Sequence, residues 1–165
     1  VDNCSSDESI STLRKYELEK RIRLFENNTI KSFSENYNFA AKQAIHNNLL
    51  ILNPDVVINQ NAIEKCINYL DEDPLLGIIT PTLIYPNGEQ QFNYRRFPKI
   101  FWMVKNRLSF YYPNIFNPPK YYNYLDNNSD KEILYVDWVL GAFMLLRRNE
   151  FLDMGGFDKR YKLYY

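Results

Sequence analysis

Two carboxylates, Asp55 and Asp2, follow segments that the sequence predicts as strands. The aliphatic residues 49–52 lead into Asn53, Pro54 and Asp55, and the strand must end there because proline has no N–H for the ladder. Four consecutive aliphatic residues are typical of a strand that is buried on both faces in an α/β protein. Open α/β sheets bind ligands at the carboxyl ends of their strands, so we expect Asn53 and Asp55 at a binding edge.

Asp55 has the chemistry to hold a divalent cation. Mg²⁺ and Mn²⁺ prefer one or two carboxylates together with phosphate oxygens and water, and such a cation stabilises a departing phosphate. The Asn-Pro-Asp sequence suits a simple strand-ending turn equally well. Asp2 can accept hydrogen bonds from a base or a ribose, but Asp-Asn before Ser-Ser is also common in turns and helix caps.

Composition excludes several classes of function. The 20 basic residues balance 20 acidic ones, so we expect no nucleic-acid partner. The single histidine, His46, rules out a His-rich metal site and disfavours a Ser-His or Cys-His triad. Cys4 and Cys66 lie far apart, as free thiols of a cytoplasmic protein do. The longest apolar run, residues 138–146, is about half of a membrane span, so we expect no transmembrane segment. The opening Val1-Asp2-Asn3 contains no basic n-region, so no signal peptide is visible.

The elements that would position these residues alternate between helix and strand. Residues 61–72 predict the clearest helix, because Ile63, Cys66, Ile67 and Leu70 fall on one face. The other elements predicted in the first half are helices over 6–16 and 36–46 and strands over 21–25, 49–52 and 76–80. This alternation predicts an α/β fold with a mostly parallel sheet flanked by helices. Residues 82–94, with a turn at Asn87-Gly88, predict an antiparallel hairpin added to it.

The second half is richer in aromatic residues. We expect an amphipathic helix over 100–112, strands over 133–138 and 142–146, and a short helix over 149–154 that ends at two glycines. The aromatic residues Trp102, Tyr111 and Tyr112 alternate with basic residues, which is compatible with peripheral contact to an anionic membrane. Trp138 or Tyr164 could instead stack on a sugar ring, and ordinary burial of aromatic area explains these residues equally well.

Taken together, these segments resemble the inverting glycosyltransferases of family 2, and within them the bacterial rhamnosyltransferase-like branch. The resemblance rests on Val-Asp-Asn-Cys-Ser-Ser-Asp, Glu-Asn-Tyr-Asn-Phe-Ala-Ala, Leu-Asn-Pro-Asp, Trp-Val-Leu-Gly-Ala-Phe-Met-Leu-Leu-Arg-Arg and Gly-Gly-Phe-Asp, at residues 1–7, 35–41, 52–55, 138–148 and 155–158. It implies a GT-A fold, a Rossmann-like α/β domain with antiparallel additions on the acceptor side. It also implies a nucleotide-sugar donor, carrying UDP or dTDP, and a Mg²⁺ or Mn²⁺ ion.

The resemblance assigns residues to a donor side and an acceptor side. On the donor side, Asp2 corresponds to the aspartate that contacts the base, Asp55 to the metal-binding aspartate, and Asn53 replaces the other acidic residue. Asn36 and Gln43 correspond to polar residues near the donor. The acceptor and sugar side comprises Trp138, Gly141, Ala142 and Asp158, with Arg95 and Arg96 near it. Asp158 has an alternative role within its own turn, and Asp137 is left unassigned.

The chain also departs from the family pattern. Asn38 stands where the family usually has glycine, and Gln43 where it usually has asparagine, so we expect a reshaped donor loop. The family's general base follows a motif that would lie beyond Tyr165, and its first strand and helix would precede Val1. We therefore expect one GT-A-like domain over residues 1–165, truncated at both ends, with a donor-binding part over 1–80 and an acceptor-side part over 81–165.

The sequence thus predicts a glycosyltransferase that moves a hexose or deoxyhexose to a polysaccharide or glycolipid acceptor with inversion. The expected location is the cytoplasm, including the inner face of the membrane. Two other classes remain open. A catalytically inactive module would bind nucleotide or sugar without turnover, and an interaction domain would use its aromatic patch and bind neither nucleotide nor metal.

Overall fold

The computed structural model describes residues 1–59, 61–97, 99, 100, 104, 107, 108 and 133–161. Its helices are α1 (Ser9–Leu18), α2 (Phe33–Gln43), α3 (Ala62–Glu72) and α4 (Arg148–Asp153). Its strands are β1 (Asn48–Leu52), β2 (Ile78–Ile79), β3 (Leu83–Ile84), β4 (Gln90–Gln91), β5 (Tyr94–Arg95), β6 (Trp138–Val139) and β7 (Phe143–Arg147). The chain forms two compact units: the first unit is Val1–Leu49 with Leu146–Tyr165, and the second unit is Leu50–Leu145.

Helix α2 organises the first unit, and its ends are set by side chains. Ser32 and Glu35 form a capping box, so the helix begins at Phe33, before the predicted start at Asn36. The helix ends at Gln43 rather than continuing to residue 46, because the next residue is already extended. The last carbonyls of the helix accept hydrogen bonds from arginine side chains instead.

The predicted strand over residues 21–25 is not formed. The N–H of Arg21 donates to the Tyr16 carbonyl over 3.0 Å, and the N–H of Leu24 donates to Glu17 Oε1 over 2.8 Å. These backbone donors therefore bond to the end of α1 rather than to a neighbouring strand. The residue that follows the segment, Glu26, forms an isolated parallel bridge with Asp2.

The hydrophobic core of the second unit lies between α3 and β7. Its buried residues are Cys66, Leu70, Phe143 and Leu145, and half-buried aliphatic side chains surround them. The periodic apolar face predicted for residues 61–72 is therefore confirmed as the face that packs in the core. The predicted hairpin is also confirmed, since β3 pairs with β4 in antiparallel register.

A three-stranded sheet has the order β1, β7, β2. The N–H of Asn53, after β1, donates to the carbonyl of Ala142, before β7, over 3.0 Å. At the opposite ends of the strands, the N–H of Arg148 donates to the Asn47 carbonyl over 2.8 Å. These two bonds mean that β1 and β7 run antiparallel. The expectation of a mostly parallel sheet is not confirmed. The sequence pattern could not decide this point, because an aliphatic run indicates that a strand is buried but not in which direction it runs.

Other expectations have mixed outcomes. No helix in the described part of the chain is long and apolar enough to span a membrane. Most of the predicted helix over 100–112 lies outside the described residues, and so do Trp102, Tyr111, Tyr112 and Tyr164. The division into parts at residues 80 and 81 stays a prediction.

The two leucines Leu70 and Leu75 allow a matched test of the core. Leu70 is fully buried, whereas the side chain of Leu75 is 94% exposed. We expect Leu70→Ala to lower the free energy of unfolding by about 2–5 kcal/mol, through lost burial and a residual cavity. Leu75→Ala should change it by less than about 0.5 kcal/mol. Urea unfolding followed by circular dichroism measures both, and equal midpoints would contradict the core assignment.

Candidate functional site

Asp2 is buried in the first unit, with only 6% of its surface exposed. Its Oδ1 accepts a hydrogen bond from Ser5 Oγ over 2.5 Å, and its Oδ2 accepts one from the Ser5 N–H over 3.0 Å. Its backbone lies beside residues 25–27, through a bond from the Asp2 N–H to the Phe25 carbonyl over 2.8 Å. The carboxylate thus closes a turn, and a ligand at this position would have to share it with Ser5.

These hydrogen bonds stabilise the ionised form of Asp2. The Ser5 hydroxyl, followed by the Ser5 N–H, holds the pKa of the Asp2 carboxyl below its ordinary value, and partial desolvation opposes them. Asp2 is therefore a fixed negative charge at neutral pH. A buried anionic acceptor suits the recognition of N–H or O–H donors, such as those of a base or a ribose.

Asn36 joins the Asp2 segment through Asn27. The Nδ2 group of Asn27 donates to Asn36 Oδ1 over 2.7 Å and to Asn3 Oδ1 over 3.0 Å. Asn3 also bonds to both backbone groups of Lys31, accepting over 2.8 Å and donating over 3.0 Å. Two of the predicted donor residues, Asp2 and Asn36, therefore belong to one polar region of the first unit.

A cavity of about 560 Å³ lies beside this region. The residues that line it are Leu24, Phe25, Glu26, Asn27, Asn28, Thr29, Lys31 and Phe39. The walls thus combine aromatic rings with amides, one carboxylate and one ammonium group. The volume falls in the range of small-molecule sites, and most of the lining residues are polar, so the cavity suits a ligand that forms hydrogen bonds.

Gln43, the third predicted donor residue of the first unit, is half-buried at the end of α2. Its carbonyl accepts a hydrogen bond from Arg23 Nη2. The guanidinium of Arg148 donates to the carbonyls of Ala41 over 3.1 Å and Lys42 over 3.4 Å. Two cations therefore bind the negative end of the helix dipole and fix the position of Gln43.

Asn53 and Asp55 lie in the second unit, at the carboxyl end of β1. The bond from the Asn53 N–H to Ala142 fixes the start of their loop, and the Asn53 carbonyl accepts from the Val56 N–H over 3.3 Å. Asp55 is exposed and Asn53 half-buried. The structure thus brings a predicted donor residue, Asn53, next to Ala142 of the predicted acceptor side.

The donor set suits one kind of metal site. The residues that the structure describes contain no group of three His, Cys, Asp or Glu side chains able to hold an ion by themselves. An exposed carboxylate with an amide oxygen two residues before it fits a cation that takes its other ligands from phosphate and water, as Mg²⁺ does. Asp55 therefore has the chemistry for a metal that is shared with a substrate.

Three residues of the predicted acceptor side, Trp138, Gly141 and Ala142, also lie in the second unit. Trp138 pairs with Arg95 across β5 and β6, and its Nε1 donates to the Arg96 carbonyl over 3.3 Å. The Arg95 guanidinium lies 6.0 Å from the Trp138 ring centroid, within reach of a cation–π contact. Asp137, which was left unassigned, accepts from the Phe97 N–H over 2.7 Å. The carboxylate therefore holds the backbone at Phe97.

Asp158 lies in the first unit and is paired. Arg160 Nη2 lies 2.5 Å from Asp158 Oδ2, and the Arg160 N–H donates to Asp158 Oδ1 over 2.9 Å. These hydrogen bonds to Arg160, side chain before backbone, lower the pKa of the Asp158 carboxyl. A paired carboxylate with a lowered pKa is a weak proton acceptor, which favours a structural role in its turn.

The predicted residues divide between the two units. The first unit holds Asp2, Asn36, Gln43 and Asp158, and the second holds Asn53, Asp55, Trp138, Gly141 and Ala142. Sequence reasoning missed Asn3, Asn27 and Lys31, whose network links segments that are far apart in sequence. The only signal was the Asn27-Asn28 pair, which predicted a turn.

The hydroxyl of Ser5 provides a direct test of the Asp2 environment. Because the pKa of folded Asp2 lies below that of the unfolded chain, ionised Asp2 stabilises the fold above about pH 4. This contribution is lost as the pH falls through the lowered pKa. We expect Ser5→Ala to raise the Asp2 pKa toward its ordinary value and to weaken this acid dependence. NMR titration of the Asp2 carboxyl carbon measures the shift, with Ser6→Ala, at an exposed neighbour, as the control. An unchanged Asp2 pKa in Ser5→Ala would contradict this account.

Comparison with known proteins identifies the family. The family model described as "Glycosyl transferase family 2" matches residues 1–145. Two proteins from two strains of Mycobacterium tuberculosis, CDC 1551 / Oshkosh and ATCC 25618 / H37Rv, are each 25% identical to the chain over 139 residues, or 84% of the chain. Both are named N-acetylglucosaminyl-diphospho-decaprenol L-rhamnosyltransferase. The match spans only 44% of the length of these relatives. No solved structure matches the chain significantly. Since the family model covers most of its residues, the chain belongs to glycosyl transferase family 2.

Proposed function

We propose that this chain forms the donor-binding core of an inverting glycosyltransferase that uses a nucleotide diphosphate sugar. The observation that carries the proposal is the loop at the end of β1, where Asn53 is fixed by Ala142 and Asp55 is exposed. In a member of glycosyl transferase family 2, a carboxylate in this position is suited to a cation that binds the donor diphosphate.

The name of the relatives supports a proposal for the sugar and the acceptor. It describes rhamnose transfer to N-acetylglucosaminyl-diphospho-decaprenol. We infer that this chain serves the transfer of a hexose or deoxyhexose from a UDP- or dTDP-sugar to a saccharide or lipid-linked acceptor. Such an acceptor would place the reaction in the cytoplasm, at the inner face of a membrane.

The first unit supplies groups for the nucleoside. The buried carboxylate of Asp2 accepts hydrogen bonds, and the amides of Asn27 and Asn36 can both donate and accept them. The cavity of about 560 Å³ beside them falls in the size range of small-ligand sites. Phe25 and Phe39, whose ring centroids are 5.2 Å apart, give this cavity an aromatic wall suited to the face of a base.

The second unit supplies groups for the diphosphate and the sugar. Asp55, with Asn53, would hold Mg²⁺ or Mn²⁺, which when bound supplies positive charge to the departing diphosphate. Trp138, Gly141 and Ala142 would form the sugar and acceptor side. The Trp138 ring, fixed through its Nε1 bond to Arg96, offers a flat apolar surface of the kind that sugar rings stack on.

The reaction is a direct displacement. An oxygen of the acceptor hydroxyl forms a bond to the anomeric carbon, while the bond from that carbon to the phosphate oxygen breaks and its electron pair leaves with the nucleoside diphosphate. The hydroxyl proton passes to a carboxylate acting as general base. We propose a carboxylate other than Asp158 for this role, because Asp158 is paired with Arg160.

Asp55 is the residue whose removal should matter most for donor binding. We expect Asp55→Ala to abolish Mn²⁺-dependent nucleotide binding, because the cation loses its protein carboxylate. Calorimetric titration with UDP, dTDP and GDP, each with and without Mn²⁺, measures this binding. The control is Asp71→Ala, which removes an exposed carboxylate from α3 in the same unit and should leave binding unchanged.

The outcomes separate the classes of function. Mn²⁺-dependent binding that Asp55→Ala removes and Asp71→Ala retains supports a donor site and names its nucleotide. Binding that survives Asp55→Ala overturns the metal assignment. A chain that binds nucleotide but never turns over a sugar donor, even with its flanking residues, is an inactive binding module. A chain that binds neither nucleotide nor metal is either an interaction domain or a donor site that needs its flanking residues, and the same titration on a longer chain separates these two.

A further inference from the structure

One face of α2 is hydrogen-bonded to the segment that begins at α4 and ends at Tyr161. Ser34 Oγ donates to the Tyr161 carbonyl over 3.0 Å, and the Ala41 carbonyl accepts from Arg148 Nε over 3.1 Å. Asn38, between them on the helix, bonds to Phe157. Positions 34, 38 and 41 share one helix face, and all are buried. The helix is therefore connected at three levels to the segment, which runs in the opposite direction.

Asn38 makes the central connection with both ends of its amide. Its Nδ2 donates to the Phe157 carbonyl over 2.8 Å, and its Oδ1 accepts from the Phe157 N–H over 2.8 Å. The side chain is 7% exposed. An amide of this kind pairs with a backbone residue as a neighbouring strand would, with one donor and one acceptor at each side. Both backbone groups of Phe157 are thus satisfied by a single side chain.

Gly156 permits this close approach. Its backbone has φ +76°, which favours glycine, and a Cβ added to it would lie 2.3 Å from Asn38 Oδ1. Gly155 has a similar φ of +86°, but a Cβ there would meet nothing within 4 Å. Both glycines therefore have a positive φ that disfavours a side chain, but only at Gly156 would an added side chain also collide with Asn38.

The side chain of Phe157 holds the turn from the other direction. Its ring centroid lies 5.6 Å from that of Phe33 and 5.1 Å from that of Phe151. Asp158, the next residue, is in turn held by Arg160. The backbone of the turn of residues 155–158 is therefore held against α2 by hydrogen bonds and by aromatic packing.

We propose that Asn38 is a positioning residue, which holds the turn of residues 155–158 to α2 so that the turn and the donor-binding helix respond to donor as one body. The inference rests on the proposed function, because that function assigns Asn36 of α2 to the donor. The Asn36 side chain contacts Asn27 rather than the turn. Loss of Asn38 should therefore free the turn while leaving the donor contacts of α2 in place.

A mutant cycle tests the connection without any ligand. We expect Gly156→Ala to lower the urea midpoint strongly when Asn38 is present, and clearly less in the Asn38→Gly background, where the added methyl group has room. Gly155→Ala is the matched control, because it has the same backbone strain with no contact to Asn38, and its effect should be equal in both backgrounds. Equal effects of Gly156→Ala in both backgrounds would overturn the proposal.

Hydrogen exchange tests the positioning role with UDP, dTDP or GDP and Mn²⁺ as the probes. In the unsubstituted chain, we expect the nucleotide to slow exchange in α2 and also at the Phe157 amide. In Asn38→Ala, the ligand-free Phe157 amide should exchange about tenfold faster, as expected for a lost hydrogen bond. The nucleotide should then still bind with an affinity within about twofold and protect α2, but no longer protect Phe157.

A merely structural role would not produce this pattern. If Asn38→Ala reduces protection of α2 and Phe157 equally, or if the nucleotide protects α2 alone in the unsubstituted chain, the positioning role is overturned. If no nucleotide binds the unsubstituted chain, the proposed function fails and the response to donor fails with it. The mutant cycle separates that result from a failure of the connection between Asn38 and the turn.

Discussion

The pairing of β1 with β7 is the constraint on which the candidate site of the second unit depends. Strand β7 is buried along most of its length, with Phe143 and Leu145 in the core against Cys66 and Leu70 of α3. Because β7 is held in this way, the hydrogen bond from the Asn53 N–H to the Ala142 carbonyl fixes the end of β1 relative to β7. A small shift of β7 would move the start of the Asn53–Asp55 loop and the 141–142 segment together. The packing of the core therefore also determines the geometry of the candidate site in the second unit.

The sequence predicted elements better than their pairing. The face of α3, the hairpin and strand β1 all follow from local patterns, because their apolar periodicity and turn residues lie within a few residues of one another. The direction of β1 against β7 does not, since strands buried on both faces have the same composition in either direction. The absent strand over residues 21–25 shows a similar limit. Its alternating pattern was real, but contacts with Tyr16 and Glu17 used its backbone donors. The earlier start of α2 could have been predicted, because Ser32 and Glu35 have capping-box spacing.

The candidate site divides in the same way. Single residues with distinctive chemistry, Asp2 and Asp55, could be proposed from their place at the ends of strands. The network of Asn3, Asn27 and Lys31 could not, because asparagine is common in turns and no short pattern joins residues so far apart in sequence. Nor does sequence reveal that Ser5 uses both oxygens of Asp2. The Asp2 carboxylate therefore already has a partner in the fold, and the hydrogen bonds from that partner stabilise its ionised form.

Asn38 illustrates how a departure from a family pattern can be stable. Glycine at this position would leave the Phe157 N–H and carbonyl without the amide, and each such hydrogen bond contributes about 0.5–1.5 kcal/mol to stability. Asparagine supplies both bonds, but its Oδ1 then occupies the space that a side chain at residue 156 would need. Gly156 satisfies that requirement and also adopts the positive φ of the turn. The dependence therefore runs in one direction: the amide fixes the turn only because residue 156 has no side chain, whereas a smaller residue at position 38 leaves room for Gly156. Asparagine at position 38 is thus possible only in a chain that already has glycine at position 156.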